Sequence, residues 1–232
     1  MRLSIIVPVY NEEKRVPTFL KGLVEYSKKH FNDYEIIIVN DGSKDNTENV
    51  VKAIIRKDAN SRILSYKRNK GKGYAVRKGV LESKGKDVLF IDADGSIAPD
   101  QIPLMLDKLK EYDIVVGCRR IKEAGVKASM LRVFIGTFFN YYANALYRIN
   151  VRDTLCGFKG FKRNAAINLF KDMISERWIF DVELFYKIRR RGLSLYQLPI
   201  VWVHKKGTKI GLLDPLKMAW QLIVLRIRIM RN

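Results

Sequence analysis

The stretch K-D-V-L-F-I-D-A-D-G, Lys86–Gly95, decides the fold. Its apolar run Val88–Ile91 is short and ends in charge, the pattern of a buried strand. Two carboxylates follow one residue apart, Asp92 and Asp94. On an extended segment the side chains at i and i+2 point the same way, so this pair converges on one ligand. Two hard oxygen donors at the open end of a buried strand suit Mg2+ or Mn2+. The same letters also end a strand and turn, since Asp and Gly are common turn residues. On this stretch alone the two readings stand level.

Outward from it, strands and helices alternate. Strands are expected at Leu3–Val9, Glu35–Val39, Arg62–Tyr66 and Ile114–Val116, all apolar or β-branched. Asn11 is the expected cap of a helix with Val16, Phe19, Leu20, Leu23 and Val24 on one face. Asp45 is the expected cap of the next, with Val50, Val51, Ile54 and Ile55 inward. Further helices are expected over Lys72–Ser83 and near Ile102–Leu109. Such alternation predicts an α/β fold, a mostly parallel sheet with helices on both faces.

The 232 residues are 47% hydrophobic and 29% charged, which excludes a disordered chain. Cys118 and Cys156 lie far apart, without metal-type spacing or a disulfide framework, and read as buried core thiols. The formal charge of +20 implies an anionic partner: nucleic acid, an acidic membrane surface or a phosphorylated substrate.

Four polar clusters each follow an expected strand: P-V-Y-N-E (Pro8–Glu12), N-D-G-S (Asn40–Ser43), N-K-G-K-G (Asn69–Gly73) and D-A-D-G (Asp92–Gly95). In an open α/β sheet, ligands bind beyond the carboxyl ends of the strands, so all four would line one crevice. Glu12, Asp41, Asp92 and Asp94 bring acceptors for ribose, base edges and a metal. Asn69–Gly73 brings glycines and a helix N-terminus, the usual surroundings of a phosphate. It is not a Walker A loop, because Lys72 is followed by glycine. Each cluster alone reads as a turn or cap; four in register predict a nucleotide site.

Together, P-V-Y-N-E, V-N-D-G-S-x-D-x-T, N-x-G-K-G-x-A and D-A-D resemble the inverting family 2 glycosyltransferases of GT-A fold. The blocks D-T-L-C-G-F-K-G-F (Asp153–Phe161), E-R-W-I-F-D-V-E-L (Glu176–Leu184) and W-V-H-K-K-G-T-K-I-G (Trp202–Gly211) resemble the dolichyl-phosphate hexosyltransferases. Of these the glucose-transferring branch looks most similar, with the mannose-transferring branch a near relative. The resemblance implies a GT-A domain over residues 1–211, with a nucleotide-binding half (1–95) and an acceptor half (96–211), followed by a C-terminal helix over 212–232.

The resemblance also implies roles. Pro8, Tyr10, Glu12, Val39 and Asp41 would hold the nucleoside, with Tyr10 near the base. Asp92, Ala93 and Asp94 would lie along the diphosphate, the carboxylates ligating the metal. Ser96, where some relatives carry glutamine, would be a third and poorer ligand. Arg119, Lys205 and Lys209 match positions that bind phosphates of donor or acceptor. Some relatives carry arginine at the place of Lys205, so bidentate phosphate contact would be lost there.

The reaction so implied is transfer of a hexose from a nucleotide sugar to a dolichyl or polyprenyl phosphate, with inversion. UDP-glucose is the first expected donor, ahead of GDP-mannose and UDP-N-acetylhexosamine. A phosphate monoester, with its second pKa of about 6, needs no general base. Asp181 or Glu183 would be the base if the acceptor were a hydroxyl; otherwise they orient Arg119, Lys205 or a neighbouring loop. A basic nucleic-acid-binding module also accounts for the charge, but leaves Asp92 and Asp94 unexplained, so no nucleic-acid partner is expected.

Two segments bear on membranes. Val133–Ile149 is aromatic-rich but carries Asn140, Asn144 and Arg148, and falls short of the roughly 20 apolar residues of a span. It reads as core or as a membrane-facing helix. Leu216, Trp220, Ile223, Ile227 and Met230 form an apolar stripe on a basic C-terminal helix with Lys217, Arg226 and Arg228. That reads as an interfacial anchor or as a core-packed terminal helix. The expected location is the cytoplasmic face of the cell membrane, peripheral or monotopic.

Overall fold

A computed structural model describes residues 2–119, 126–127, 130–203, 205 and 214–231. The strands are β1 (Leu3–Val9), β2 (Tyr34–Asn40), β3 (Ser61–Ser65), β4 (Asp87–Ile91), β5 (Ile114–Cys118), β6 (Val126–Lys127), β7 (Phe158–Lys162), β8 (Leu195–Pro199) and β9 (Trp202–Val203). The helices are α1 (Val16–His30), α2 (Thr47–Ile55), α3 (Lys72–Glu82), α4 (Ile102–Lys108), α5 (Met130–Tyr147), α6 (Arg163–Lys171), α7 (Phe180–Arg190) and α8 (Asp214–Arg231).

Seven strands form one sheet in the order β3-β2-β1-β4-β7-β5-β8, and β6 and β9 make a separate parallel pair. Every pairing in the large sheet is parallel except those of β7, which runs antiparallel to both β4 and β5. The β-branched runs of β1 and β2 are buried because helices cover both faces. Successive side chains feed opposite layers. Ile6, Ile37, Val39 and Phe90 pack with residues of α3 and α5 to α8. Ile5, Val7, Ile38 and Leu89 pack with residues of α1, α2 and α4.

The order of strands positions the site. From β1 the chain steps outward to β2 and β3, then crosses back to β4 on the other side. The loops after β1 and β4 therefore diverge over a crevice at the carboxyl edge, the switch point of a doubly wound sheet. Because β7 is reversed, the loop that enters it arrives at that same edge. The backbone N–H of Asp92 donates to the carbonyl of Gly157 there, at 3.0 Å.

Two expected caps differ. Asn11 has φ +48 and its side-chain oxygen accepts from the Lys44 N–H at 2.8 Å. It ties two site loops together, and α1 begins later, after Arg15. Asp45 lies one residue before the N-cap of α2, Asn46, yet still accepts from the Thr47 N–H at 3.1 Å.

The two helices considered for membrane contact each bury one face in the core and expose the other. On α5, Phe139, Ala143 and Tyr147 are buried, while Phe138 and Tyr141 are exposed. Asn140 and Asn144 are structural: both donate to the carbonyl of Val151. On α8, Met218, Leu222 and Leu225 are buried, and the Leu222 carbonyl accepts from the Tyr147 hydroxyl at 2.6 Å. Trp220, Ile223 and Ile227 of the expected stripe remain exposed. The side chains of Leu216 and Met230 lie outside the described residues. Among the described residues, no helix is long and apolar enough to cross a membrane.

Candidate active site

All four polar clusters meet. A cavity of about 550 Å3 is lined by Pro8, Tyr10 and Glu12, by Asp41, by Asn69, Gly71 and Lys72, and by Asp92, Ala93 and Asp94. Arg119, Gly157, Arg177, Trp178, Asp181, Trp202 and Lys205 complete its lining.

The acidic pair lies on the tight turn after β4. Asp94 Oδ1 accepts from the Ser96 N–H at 2.9 Å, which fixes that turn. Asp92 lies against Gly157 so closely that a Cβ added there would be 1.9 Å from Oδ2. On its other side the Lys72 ammonium is 2.6 Å from Oδ1 and 2.9 Å from Oδ2. Burial pulls the Lys72 pKa down, but Asp92, Asp181 and Asp94 more than offset this and leave it raised.

Lys72 opens α3, and glycines bring that helix close. A Cβ on Gly71, whose φ is +109, would lie 2.6 Å from the carbonyl oxygen of Glu176, and one on Gly73 would lie 2.7 Å from Phe180 Cβ. Asp41 organises the preceding loop. One carboxylate oxygen accepts from the Lys70 N–H at 2.8 Å, the other from the Gly71 N–H at 2.9 Å and the Asn69 side chain at 2.7 Å. Glu12 is gripped by Arg15, with Nε 2.7 Å from Oε2 and Nη2 2.5 Å from Oε1.

The basic wall is held as firmly. Arg119 donates through Nε and Nη2 to the two oxygens of Asp153, at 2.7 and 2.8 Å. Its guanidinium stacks 5.3 Å from the Trp202 ring centre. Burial alone would lower the Arg119 pKa; the hydrogen bonds and charge of Asp153 raise it well above the ordinary value. Trp202 is fixed in turn, since the next N–H, that of Val203, donates to the Ser96 carbonyl at 3.0 Å.

Asp181, in the first turn of α7, is 3% exposed. Its Oδ1 accepts from Lys159 Nζ at 2.7 Å, and Lys159 is fully buried, also donating to the Cys156 carbonyl at 2.5 Å. Burial raises the Asp181 pKa, and Lys159 and Lys72 oppose it.

A second, open cavity of about 360 Å3 lies between the 174–179 turn and α8. Ile174, Ile179, Val224, Leu225 and Trp220 line it beside Glu176, Gln221 and Arg228, and Arg177 lines both cavities.

Residues 4–170 match the family model for glycosyl transferase family 2. The chain belongs to that family. The dolichyl-phosphate beta-glucosyltransferase of Dictyostelium discoideum is 36% identical over 243 residues, an alignment covering 97% of this chain and 73% of the relative. Its namesake in Homo sapiens is 34% identical over 244 residues, covering 98% and 75%. That of Saccharomyces cerevisiae is 32% identical over 247 residues, covering 97% and 74%. The fold matches the crystal structure of glucosyl-3-phosphoglycerate synthase from Mycobacterium tuberculosis in complex with Mn2+, UDP-glucose and phosphoglyceric acid. The TM-score is 0.74 at 19% identity, over 98% of this chain and 79% of that one.

In this glycosyltransferase the structure places several of the expected residues away from the cavity or with other partners. Val39 does not line the cavity; it is fully buried in the core of β2. Ser96 is not brought to it either: its buried hydroxyl has no partner among the described residues. Asp181 orients neither Arg119 nor Lys205, because Lys159 holds it and Asp153 holds Arg119. Glu183 stays out of the cavity and anchors the loop ahead of α7, accepting from the Ile174 and Ser175 N–H groups at 2.9 and 2.7 Å. The N-terminus of α3 is partly used by protein, since the Tyr74 N–H donates to the Glu176 carbonyl at 2.9 Å. Lys209 lies outside the described residues.

Sequence reasoning missed Arg15, Lys72 as a charge partner, Lys159 and Asp153. Of these only Arg15 lay outside every quoted stretch, and a buried lysine carries no local signal of its partner.

Proposed function

We propose that this glycosyltransferase moves glucose from UDP-glucose to the phosphate of dolichyl phosphate or a related polyprenyl phosphate. The observation that carries the reading is one cavity that brings the acidic pair Asp92 and Asp94 together with Arg119 and Lys205. The 32–36% identity to dolichyl-phosphate beta-glucosyltransferases supports the choice of sugar and acceptor.

The acceptor oxygen attacks the sugar C1 from the face opposite the diphosphate. The new O–C1 bond forms as the C1–O bond to the β-phosphate breaks, which inverts C1 and releases UDP. Pro8, Tyr10, Glu12 and Asp41 would hold the nucleoside, and Asp92, Ala93 and Asp94 would flank the diphosphate. Arg119, fixed by Asp153, would offer its remaining N–H groups to a phosphate. An acceptor phosphate with a second pKa of about 6 is already an anion. Asp181, with one oxygen committed to Lys159, then has no proton to remove.

The donor set fits a divalent cation. Asp92 and Asp94 give two hard oxygens on the cavity wall, suited to Mg2+ or Mn2+. Among the described residues no group of three or more His, Cys, Asp or Glu is placed to hold a metal, so substrate oxygens and water would complete the shell. When bound, the cation would neutralise charge growing on the departing diphosphate.

A membrane surface is the proposed second partner. Phe138 and Tyr141 on α5 and Trp220, Ile223 and Ile227 on α8 are exposed, and α8 also carries the exposed Lys217, Arg226 and Arg228. Apolar side chains beside basic ones suit an anionic leaflet such as the cytoplasmic one, where the enzyme would lie peripherally. The open groove beside α8, lined in part by apolar side chains, supports a lipid acceptor.

The deciding experiment offers radiolabelled UDP-glucose, GDP-mannose and UDP-N-acetylglucosamine separately, with polyprenyl phosphate, with and without Mg2+ or Mn2+. Metal-dependent label in the organic phase from UDP-glucose is the expected result. Label from GDP-mannose would change the sugar. No lipid product from any donor, with transfer to a glycan instead, would sink the reading and make Asp181 the candidate base.

A further inference from the structure

Asp92 is held between two neighbours that leave it little freedom. Behind it stands the Gly157 backbone, where even a methyl group would collide with Oδ2. In front, a single ammonium, that of Lys72, reaches both carboxylate oxygens. The lysine side chain is 14% exposed and that of Asp92 34%, so the ion pair sits at the cavity wall rather than in open water. Screening is weakened there, and displacing one partner matters more than on a free surface.

Three carboxylates act on this one ammonium: Asp92, Asp181 and Asp94. Asp181 is itself shared with Lys159. The wall therefore alternates in charge, Asp92, Lys72, Asp181, Lys159, from cavity into core. A divalent cation bound to Asp92 and Asp94 adds two positive charges beside Lys72 and upsets that balance. The diphosphate of a nucleotide sugar restores it, because its negative charges arrive with the metal.

We propose that Lys72 is a resident counter-cation competing with the divalent metal for Asp92, so that metal loads strongly only together with a nucleoside diphosphate. The inference rests on the metal reading of Asp92 and Asp94 given above. Without nucleotide, Lys72 satisfies Asp92 and keeps the carboxylate oriented. When metal and diphosphate enter, the ammonium gives up part of its hold on Asp92 and leans on Asp181 and the incoming phosphates. Lys72 is thus a positioning residue whose charge couples two ligands.

The test measures free Mn2+ by its electron paramagnetic resonance signal while the full chain is titrated, with and without UDP. Wild type is expected to bind Mn2+ weakly alone and at least 10-fold more tightly with UDP. Lys72→Met keeps an unbranched side chain and removes the charge that lies 6.0 Å and 5.9 Å from the ring centres of Phe90 and Trp178. It is expected to bind Mn2+ alone at least 10-fold more tightly than wild type, and to lose most of the UDP enhancement. Lys72→Arg, which keeps the charge, should behave like wild type. If the methionine variant lacks a cooperative melting transition, Lys72→Gln replaces it with the same expectation. Neutral variants that bind Mn2+ alone no better than wild type overturn the proposal while leaving the metal reading intact, since Asp94→Ala decides that reading by losing Mn2+ binding. Wild type that binds no Mn2+ with or without UDP overturns both.

Discussion

Two neighbours in the loop that enters β7 show what close contact and burial do at single residues. Gly157 is the first. A Cβ there would penetrate the Asp92 carboxylate at 1.9 Å, so Gly157→Ala must push Asp92 off its place. Displacement of about 1 Å at a reacting centre costs roughly 100-fold in rate. Transfer by Gly157→Ala should fall by about that factor in a steady-state assay, with UDP affinity in calorimetry falling far less. Equal losses in both would show that the glycine serves the nucleoside site instead. Cys156 is the second. Burial raises its thiol from 9.0 to about 12, so the fold favours the protonated form. That contribution is complete below 9.0 and disappears as pH climbs from there to about 12. Cys156→Ala should therefore lose stability less steeply than wild type across this window, by about 1.4 kcal/mol per pH unit. Urea unfolding under reductant at a series of alkaline pH values measures the difference, and parallel curves would contradict the burial of the thiol.

At the scale of elements, the joint between β7 and α7 is an ion pair inside the core. Lys159 on β7 and Asp181 on α7 are both buried and lie 2.7 Å apart. Removing one partner of such a pair strands the other and costs about 3–5 kcal/mol. Lys159→Met should lower the urea unfolding free energy by that amount, and adding Asp181→Asn should recover part of it. No recovery would mean that Lys159 acts mainly through the carbonyl of Cys156. The same joint explains what the sequence could and could not tell. The strands β1, β2, β4 and β5 were legible because each is a β-branched run buried on both faces. β7 reads F-K-G-F-K, where a lysine and a glycine interrupt the apolar pattern. Lys159 is there for Asp181, a partner 22 positions away that no local rule can see. The cap expected at Asn11 failed for a related reason. Asn11 has the right chemistry for a cap, but its side chain serves Lys44 across the site. The acidic pair and the four clusters were legible because strand direction alone sends their loops to one edge. Arg119 was legible from its motif, whereas its support, Asp153, depends on the reversed strand.

For the molecule as a whole, one end of the helical layer presents apolar and basic side chains that the core does not use. Trp220 and Ile227 are 66% and 47% exposed, so replacing both by serine should change stability by no more than about 0.5 kcal/mol each. Trp220→Ser with Ile227→Ser should instead weaken sedimentation with anionic vesicles, and the residual binding should fall steeply with salt. Unchanged sedimentation would remove α8 from the membrane contact. Truncating α8 is a poorer test, because Met218, Leu222 and Leu225 belong to the core.

The reversal of β7 has a consequence of another kind. The Asp92 amide and the Gly157 carbonyl, 65 positions apart in the chain, meet in one 3.0 Å hydrogen bond. Four residues before Gly157 the same loop carries Asp153, the support of Arg119, and one residue after Asp92 the turn toward Asp94 begins. The interval between the acidic and basic walls is thus spanned by a few consecutive peptide units and one rung of the sheet, with no hinge in the path. Such a site works like a fixed gauge: the distance from Asp92 to the support of Arg119 is set by four covalent steps of chain and one backbone hydrogen bond.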